Sequence, residues 1–262
     1  MKLSIIISAL GKNLYKISDW ITKEIVNEVD EIIIIIQDSK GFIREVNLLR
    51  EIGINCLISD AIGLSKSRNH GINSSSSDFI WFLDDDIKTD INKIKIVKSN
   101  IINNKADIYT FRIALDNEGN LYKKYYNFNL FTKLSFLKIS SIEIVVSRFF
   151  IKDNNILFDE RFGLGSKYPK GEENLFILDC YAHKARIMHI PKIIVIHESP
   201  IARIVQNNKK SLMAQGFIAK KYNFLGFFLI LRWYLRMLYK YNDIMSIRYL
   251  IKGLFIKQYY DK

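Results

Sequence analysis

Five consecutive isoleucines, Ile32–Ile36, leave this chain few architectures to choose from. β-Branched side chains favour strands. A strand with no polar face must be covered on both sides, as strands are in the interior of a parallel sheet. The flanking sequence agrees. Leu3 to Ser8 is a second β-branched run, and Leu14, Ile17, Ile21, Ile25 and Val29 then recur at helical spacing. A helical segment from 43 to 52 leads to a short strand, Asn55 to Ser59. The weakly helical "GLSKSRNHGINSSSS" precedes another apolar strand, Phe79 to Leu83. Strands and helices that alternate in this way give an α/β fold with parallel strands and right-handed crossovers. In such sheets ligands bind beyond the carboxyl ends of the strands. Asp38, the triplet Asp84, Asp85, Asp86, and the turn after Ser8 all fall at such ends.

The middle of the chain changes character. "TFRIALDNEGNLYKKYYNFNL" alternates around the turn signal "DNEGN" and predicts a hairpin. "SSIEIVVSRFFI" reads as a strand. The Gly-rich "FGLGSKYPKG", expected to be a mobile loop, precedes a helix predicted from Glu172 to His183. "RIMHIPKIIVIHES" predicts a short strand pair ending at His197. From about Asn207 onward the pattern is helical, basic and aromatic. There is no internal repeat, and the serine tract 74–77 reads as a solvated turn.

With 262 residues the chain suits one large α/β domain with an appendage. The division predicted is a domain over 1–206, in halves of about 1–88 and 89–206, and a basic helical tail over 207–262. The formal net charge of +12 points to an anionic partner without choosing among nucleic acid, anionic membrane and phosphorylated substrate. Cys56 and Cys180 lie inside apolar stretches and read as reduced core thiols of a cytoplasmic protein. The N-terminus reads as a first buried strand rather than a signal peptide. The longest apolar candidate for a membrane span, Phe224 to Leu231, stops at Arg232, short of the roughly 18 residues a span needs.

Three adjacent carboxylates at the end of an apolar strand repel one another. Along a strand side chains alternate faces, so Asp84 and Asp86 share a side that Asp85 leaves. Two carboxylates so spaced suit a hard divalent cation, which would cancel the repulsion. The same residues also suit a solvated acidic turn.

The order of motifs bears on that choice. "GLSKSRNHGI" precedes the strand, "FLDDDI" ends it, and "GEENLF" and "HES" follow far downstream. Over roughly residues 1–200 this set resembles inverting nucleotide-sugar glycosyltransferases of the GT-A fold, the bacterial family 2 type. The resemblance implies a Rossmann-like mixed sheet with helices on both faces. It implies that Ser8 and Ala9 meet the nucleotide, that Asp38 bonds the base, and that Arg68 sits by the nucleotide or diphosphate. Asp84 would reach the ribose or metal, with Asp85 beside it at the donor site. Asp86 would bind the metal, with His197 as a further ligand. The cofactor implied is Mn²⁺ or Mg²⁺. Glu173 matches the position of the catalytic base, with Glu172 as the alternative; Glu stands where Asp is commoner. The implied reaction moves a sugar from a nucleotide diphosphate, by default a UDP-sugar, to a hydroxyl of a glycan or polyprenyl-diphosphate-linked acceptor. Such enzymes build bacterial capsule, O-antigen or lipo-oligosaccharide.

The tail adds a second expectation. Arg232, Arg236 and Lys240 line one helical face, and Leu229, Trp233 and Met237 another. A basic amphipathic helix with Trp and Tyr suits an anionic membrane surface, with Arg232, Trp233, Arg236 and Lys240 in contact. That predicts a cytoplasmic protein held peripherally on the inner face of the membrane, and it is compatible with a homo-oligomer. Two rivals fit less well. A sugar nucleotidyltransferase would carry a G-x-G-x-R loop where this chain has "SALGKNLYK". A nucleic-acid-binding protein would show a recognisable signature beyond net charge, and none is present.

Overall fold

The computed structural model describes residues 1–125, 133–197 and 209–257. Among the described residues, seven strands form one sheet in the order β3-β2-β1-β4-β6-β5-β7. They are β1 Leu3–Leu10, β2 Glu31–Gln37, β3 Asn55–Ser59, β4 Phe79–Asp84, β5 Ile108–Ala114, β6 Ile144–Ser147 and β7 Ile187–Ile196. β3, β2, β1 and β4 run parallel. β6 is antiparallel to both β4 and β5, and β7 is parallel to β5, so the sheet is mixed.

Alternation along the strands feeds two hydrophobic cores. One face carries Leu3, Ile5, Ile7, Ile34 and Trp81. It is covered by α1 (Leu14–Ser18), α2 (Lys23–Glu28), α3 (Ile43–Glu51) and α5 (Ile91–Asn103). The other face carries Ile6, Ile80, Phe82 and Val146. Over it lie α4 (Leu64–Ser74), α6 (Arg148–Asp153) and α7 (Glu172–Ala182).

Several elements differ from the sequence reading. The period over 14–29 is split into α1 and α2 because Thr22 caps a new start, accepting from Ile25 N at 3.4 Å. "SRFF" leaves the sheet because Ser147 Oγ accepts from Phe150 N and starts α6. β7 is a single ten-residue strand that shifts register against β5 around Arg112, rather than a strand pair. The "DNEGN" turn closes as expected, with Leu115 N donating to Asn120 O at 2.7 Å. The part of the hairpin over 126–132 lies outside the described residues.

Three helices follow: α8 (Lys209–Lys220), α9 (Phe224–Tyr241) and α10 (Ser246–Leu254). α8 supplies Leu212, Phe217 and Ile218 to the second core, and α10 supplies Leu250. α8 and α10 cross in backbone contact, since a Cβ on Gly216 would stand 1.9 Å from Leu250 O. The tail therefore packs into the second core, and the boundary expected at 206/207 lies outside the described residues. No described helix is long and apolar enough to cross a membrane.

Candidate active site

The parallel register brings three strand ends together. Ser8 lies beside Asp84 and Leu10 beside Gln37. Gly11, after β1, packs against Asp38 O, after β2; a Cβ there would meet that oxygen at 2.4 Å. Asp38 is exposed and holds a left-handed φ of 51°, a conformation that aspartate tolerates better than most residues. Alternation puts Ser8 and Asp84 on the side of Ile6 and Phe82. Ser8 Oγ is buried there without a hydrogen-bond partner among the described residues. Ala9 turns its side chain into the first core, so only its backbone can face a ligand.

α4 lies against this face more closely than an ordinary helix could. A Cβ on Gly71 would stand 2.3 Å from Ile6 Cγ2, so the glycine sets the approach. One turn earlier, Arg68 is 1% exposed. Its Nη2 donates to Asp84 Oδ1 at 2.8 Å and to Ser141 Oγ at 2.6 Å, and its Nη1 donates to Glu172 Oε1 at 3.1 Å. The guanidinium lies 5.4 Å from the centre of the Phe158 ring. Burial alone would push the Arg68 pKa down, but Asp84, Glu172 and Glu173 outweigh it, so the group is held as a cation. Ser141 is delivered by the turn that Trp81 Nε1 anchors through Ile142 O at 2.9 Å. Arg68 is thus a buried arginine, not a surface one. It clamps the end of β4 to the start of α7.

Glu172 and Glu173 open α7 after Gly171. The helix N-terminus favours their charge. Glu172 is buried and committed to Arg68. Glu173 is half-buried, and burial pushes its carboxyl well above the usual carboxylate range. The charge and hydrogen bond of Glu172 add to that push, while Arg68 opposes it. The preceding loop, expected to be mobile, is tied down: Leu64 N donates to Leu164 O at 2.9 Å and Ser65 Oγ to Phe162 O at 2.6 Å.

The triplet divides by partner. Asp84 is taken by Arg68. Asp85 accepts from Leu10 N and Asn13 Nδ2, both at 2.9 Å, and so fixes the turn after β1. Burial raises the Asp85 pKa against those two hydrogen bonds. Asp86 is exposed and makes no hydrogen bond or ion pair among the described residues. The antiparallel bridge between Lys88 and Ile196 carries His197 alongside Ile87, next to Asp86. His197 stacks on Tyr122 at 4.9 Å, and its Nδ1 is buried with no hydrogen-bond partner among the described residues. No three His, Cys, Asp or Glu side chains converge on a metal-sized gap among the described residues. Of the metal ligands expected, Asp86 is exposed and His197 has a buried Nδ1 with no hydrogen-bond partner among the described residues, and these are the residues that would hold a cation there.

The tail residues separate as well. Arg232, Arg236 and Lys240 are exposed. Trp233, expected at a membrane, packs against the second core instead. Burial, and then the nearby charge of Arg236, push the Lys170 ammonium down to about 8, although Glu173 opposes the shift. Helix α8 borders the start of α7, where Ile218 lies against Gly171, and α9 packs on α8 through Gly226. Ser141, Phe158 and Asn13 have no sequence signal that marks them; only tertiary contact does. Another buried carboxylate, Glu143, is satisfied by Lys123 Nζ at 2.7 Å, Ser140 N at 2.8 Å and Tyr125 Oη at 3.0 Å, which makes it structural.

Residues 18–160, more than half of the chain, match the family model described as Glycosyl transferase family 2. No curated protein matches the chain. Among solved structures, S. aureus TarS 1-349 in complex with UDP-GlcNAc superposes with a TM-score of 0.62 at 17% identity, over 84% of this chain and 66% of that one. A second S. aureus TarS structure gives 0.61 at 16% identity, over 92% of this chain and 44% of that one. The chain thus spans less than half of that protein. Glucosyl-3-phosphoglycerate synthase from Mycobacterium tuberculosis, in complex with Mn²⁺, UDP and phosphoglyceric acid, gives 0.57 at 12% identity, over 84% of this chain and 78% of that one. At these identities the likeness is one of fold, the GT-A architecture.

Proposed function

Because the chain belongs to glycosyl transferase family 2, we propose that it moves a sugar from a UDP-sugar to an acceptor hydroxyl with inversion, Glu173 acting as the base. The acceptor class proposed is a bacterial surface glycan or its polyprenyl-diphosphate-linked precursor. One observation carries the assignment of the base: the Arg68 guanidinium holds both Asp84 and Glu172, so the neighbouring Glu173 is the carboxylate left to act.

In this reading the donor lies across the ends of β1, β2 and β4. Asp38 bonds the base, Ser8 Oγ finds there the partner it lacks, and Asp84, whose Oδ1 is held by Arg68, reaches the ribose through its other oxygen. Asp86 and His197 would hold Mn²⁺ or Mg²⁺, whose positive charge would favour a departing diphosphate. Glu173 takes the proton of the acceptor hydroxyl, whose oxygen attacks the anomeric carbon as its bond to the diphosphate breaks. A raised pKa makes Glu173 a stronger base than an ordinary carboxylate. Complexes of the two neighbours with UDP-GlcNAc, and with UDP and Mn²⁺, support the donor class and the cation.

The test is a thermal-shift screen of sugar nucleotides with and without Mn²⁺. A ligand at 100 times its Kd stabilises the folded state by about 2.7 kcal/mol. Cation-dependent stabilisation by a UDP-sugar supports the reading. Equal melting temperatures with every sugar nucleotide reject it.

A further inference from the structure

Helix α9 is apolar on two opposite sides. Gly226, Leu229, Ile230 and Met237 are buried against the protein. On the far side Phe224, Phe227, Phe228, Leu231 and Leu235 are 43–77% exposed. Spacings of four, three and four place Phe224, Phe228, Leu231 and Leu235 in one stripe along the helix. A contiguous apolar stripe left in water marks a surface that something covers. Arg232, Arg236 and Lys240, all exposed, run along one edge of it.

Two occupants have the right apolar character, a bilayer or a second copy of the chain, and charge separates them. The described residues 209–257 contain ten Lys and Arg and a single acid, Asp243. Neither α9 nor α10 carries a carboxylate. A two-fold contact through the stripe would bring the basic edges of both copies together with nothing to pair them. An anionic bilayer satisfies both parts. Phe and Leu enter the boundary between headgroups and acyl chains, and the basic edge meets lipid phosphates.

We propose that α9 lies flat on an anionic lipid surface, with the Phe224–Leu235 stripe immersed and Arg232, Arg236 and Lys240 on headgroup phosphates. α9 packs on α8 where Gly226 meets Ala219, and Ile218 of α8 lies against Gly171, the residue before Glu172. Docking therefore holds the Glu173 end of the site at the membrane, where a lipid-linked hydroxyl arrives. The surface contact stands independently of the transfer chemistry.

The test uses the full chain and vesicles of phosphatidylcholine with or without phosphatidylglycerol. The wild type sediments with the anionic vesicles, less with the neutral ones, and is released by salt. The L231E/L235E variant stays in the supernatant while its melting temperature matches the wild type. R232Q/R236Q/K240Q lowers partitioning roughly a hundredfold. Three results overturn the proposal: a wild type that ignores anionic vesicles, an L231E/L235E variant that sediments as wild type does, or a wild-type dimer that L231E/L235E dissociates while neither protein sediments.

Discussion

Arg68 Nη1 stands 3.1 Å from Glu172 Oε1, joining two residues 104 positions apart inside the protein. The same guanidinium holds Asp84 at 2.8 Å. One buried cation thus sets the distance between the end of β4 and the helix that carries the proposed base. Removing it leaves buried carboxylates uncompensated. Arg68→Met should cost about 3–5 kcal/mol in chemical unfolding. Arg68→Lys should recover only part, since an ammonium cannot fork between two acids. In the R68M background, Glu172→Gln should cost less than it does alone; additive losses in that cycle would mean that the pair is not coupled.

Asp85 and Asp86 should fail in different ways. Asp85→Ala orphans Leu10 N and Asn13 Nδ2 and should lower stability by about 1–3 kcal/mol. Asp86→Ala removes an exposed side chain with no described partner, so the melting temperature should hold while Mn²⁺-dependent UDP binding falls at least tenfold. Calorimetry of unfolding and titration of UDP read the two effects separately. A D86A protein that binds UDP and Mn²⁺ as the wild type does would remove Asp86 from the cation site.

Glu173 makes a prediction in pH. Its folded-state pKa is raised, so the protonated carboxyl favours the fold. That contribution is complete below the ordinary carboxylate range and is lost as pH rises through the folded value. The stability of wild type relative to Glu173→Gln should therefore fall with rising pH. The base form exists only above the same pKa, so the acid limb of the rate profile should lie above the usual carboxylate range. A limb at the ordinary carboxylate position would contradict the raised pKa of Glu173.

His189 works in the opposite sense. Burial, then Arg112 and Lys123, depress its pKa from 6.5 to about 4. Its contribution to stability is present above 6.5 and is lost as pH falls toward about 4. Denaturant midpoints measured from pH 7 to pH 4 should decline, and His189→Gln should flatten that decline. An unchanged slope in the variant would place the acid sensitivity elsewhere.

Much of the sheet was legible because unbroken runs such as Ile32–Ile36 and Phe79–Leu83 have only one stable setting. The acidic strand end was legible for the same reason, since Asp84 follows directly on a buried run. Arg68 was not. α4 has a weak apolar pattern, and whether its arginine faces water or the core depends on Gly71, on Ile6 and on a glutamate a hundred residues away. Asp85 was read by alternation alone, which says that it turns from Asp84 but not that Leu10 N waits for it. α9 misleads for another reason. Apolar residues surround much of the helix, so the pattern identifies an amphipathic element without saying which side packs. Trp233 goes inward and Phe224, Phe227 and Phe228 stay out because Gly226 and the chain of α8 fix the rotation.

The most direct measurement is UDP release from the sugar nucleotide that the thermal screen identifies, compared between the wild type and Glu173→Gln with Mn²⁺ and acceptor present. The substitution is nearly isosteric and keeps Arg68, Asp84 and Glu172 in place. E173Q should bind the donor with wild-type affinity and lose turnover by at least about a hundredfold. Wild-type turnover by E173Q would contradict the assignment of Glu173 as the base.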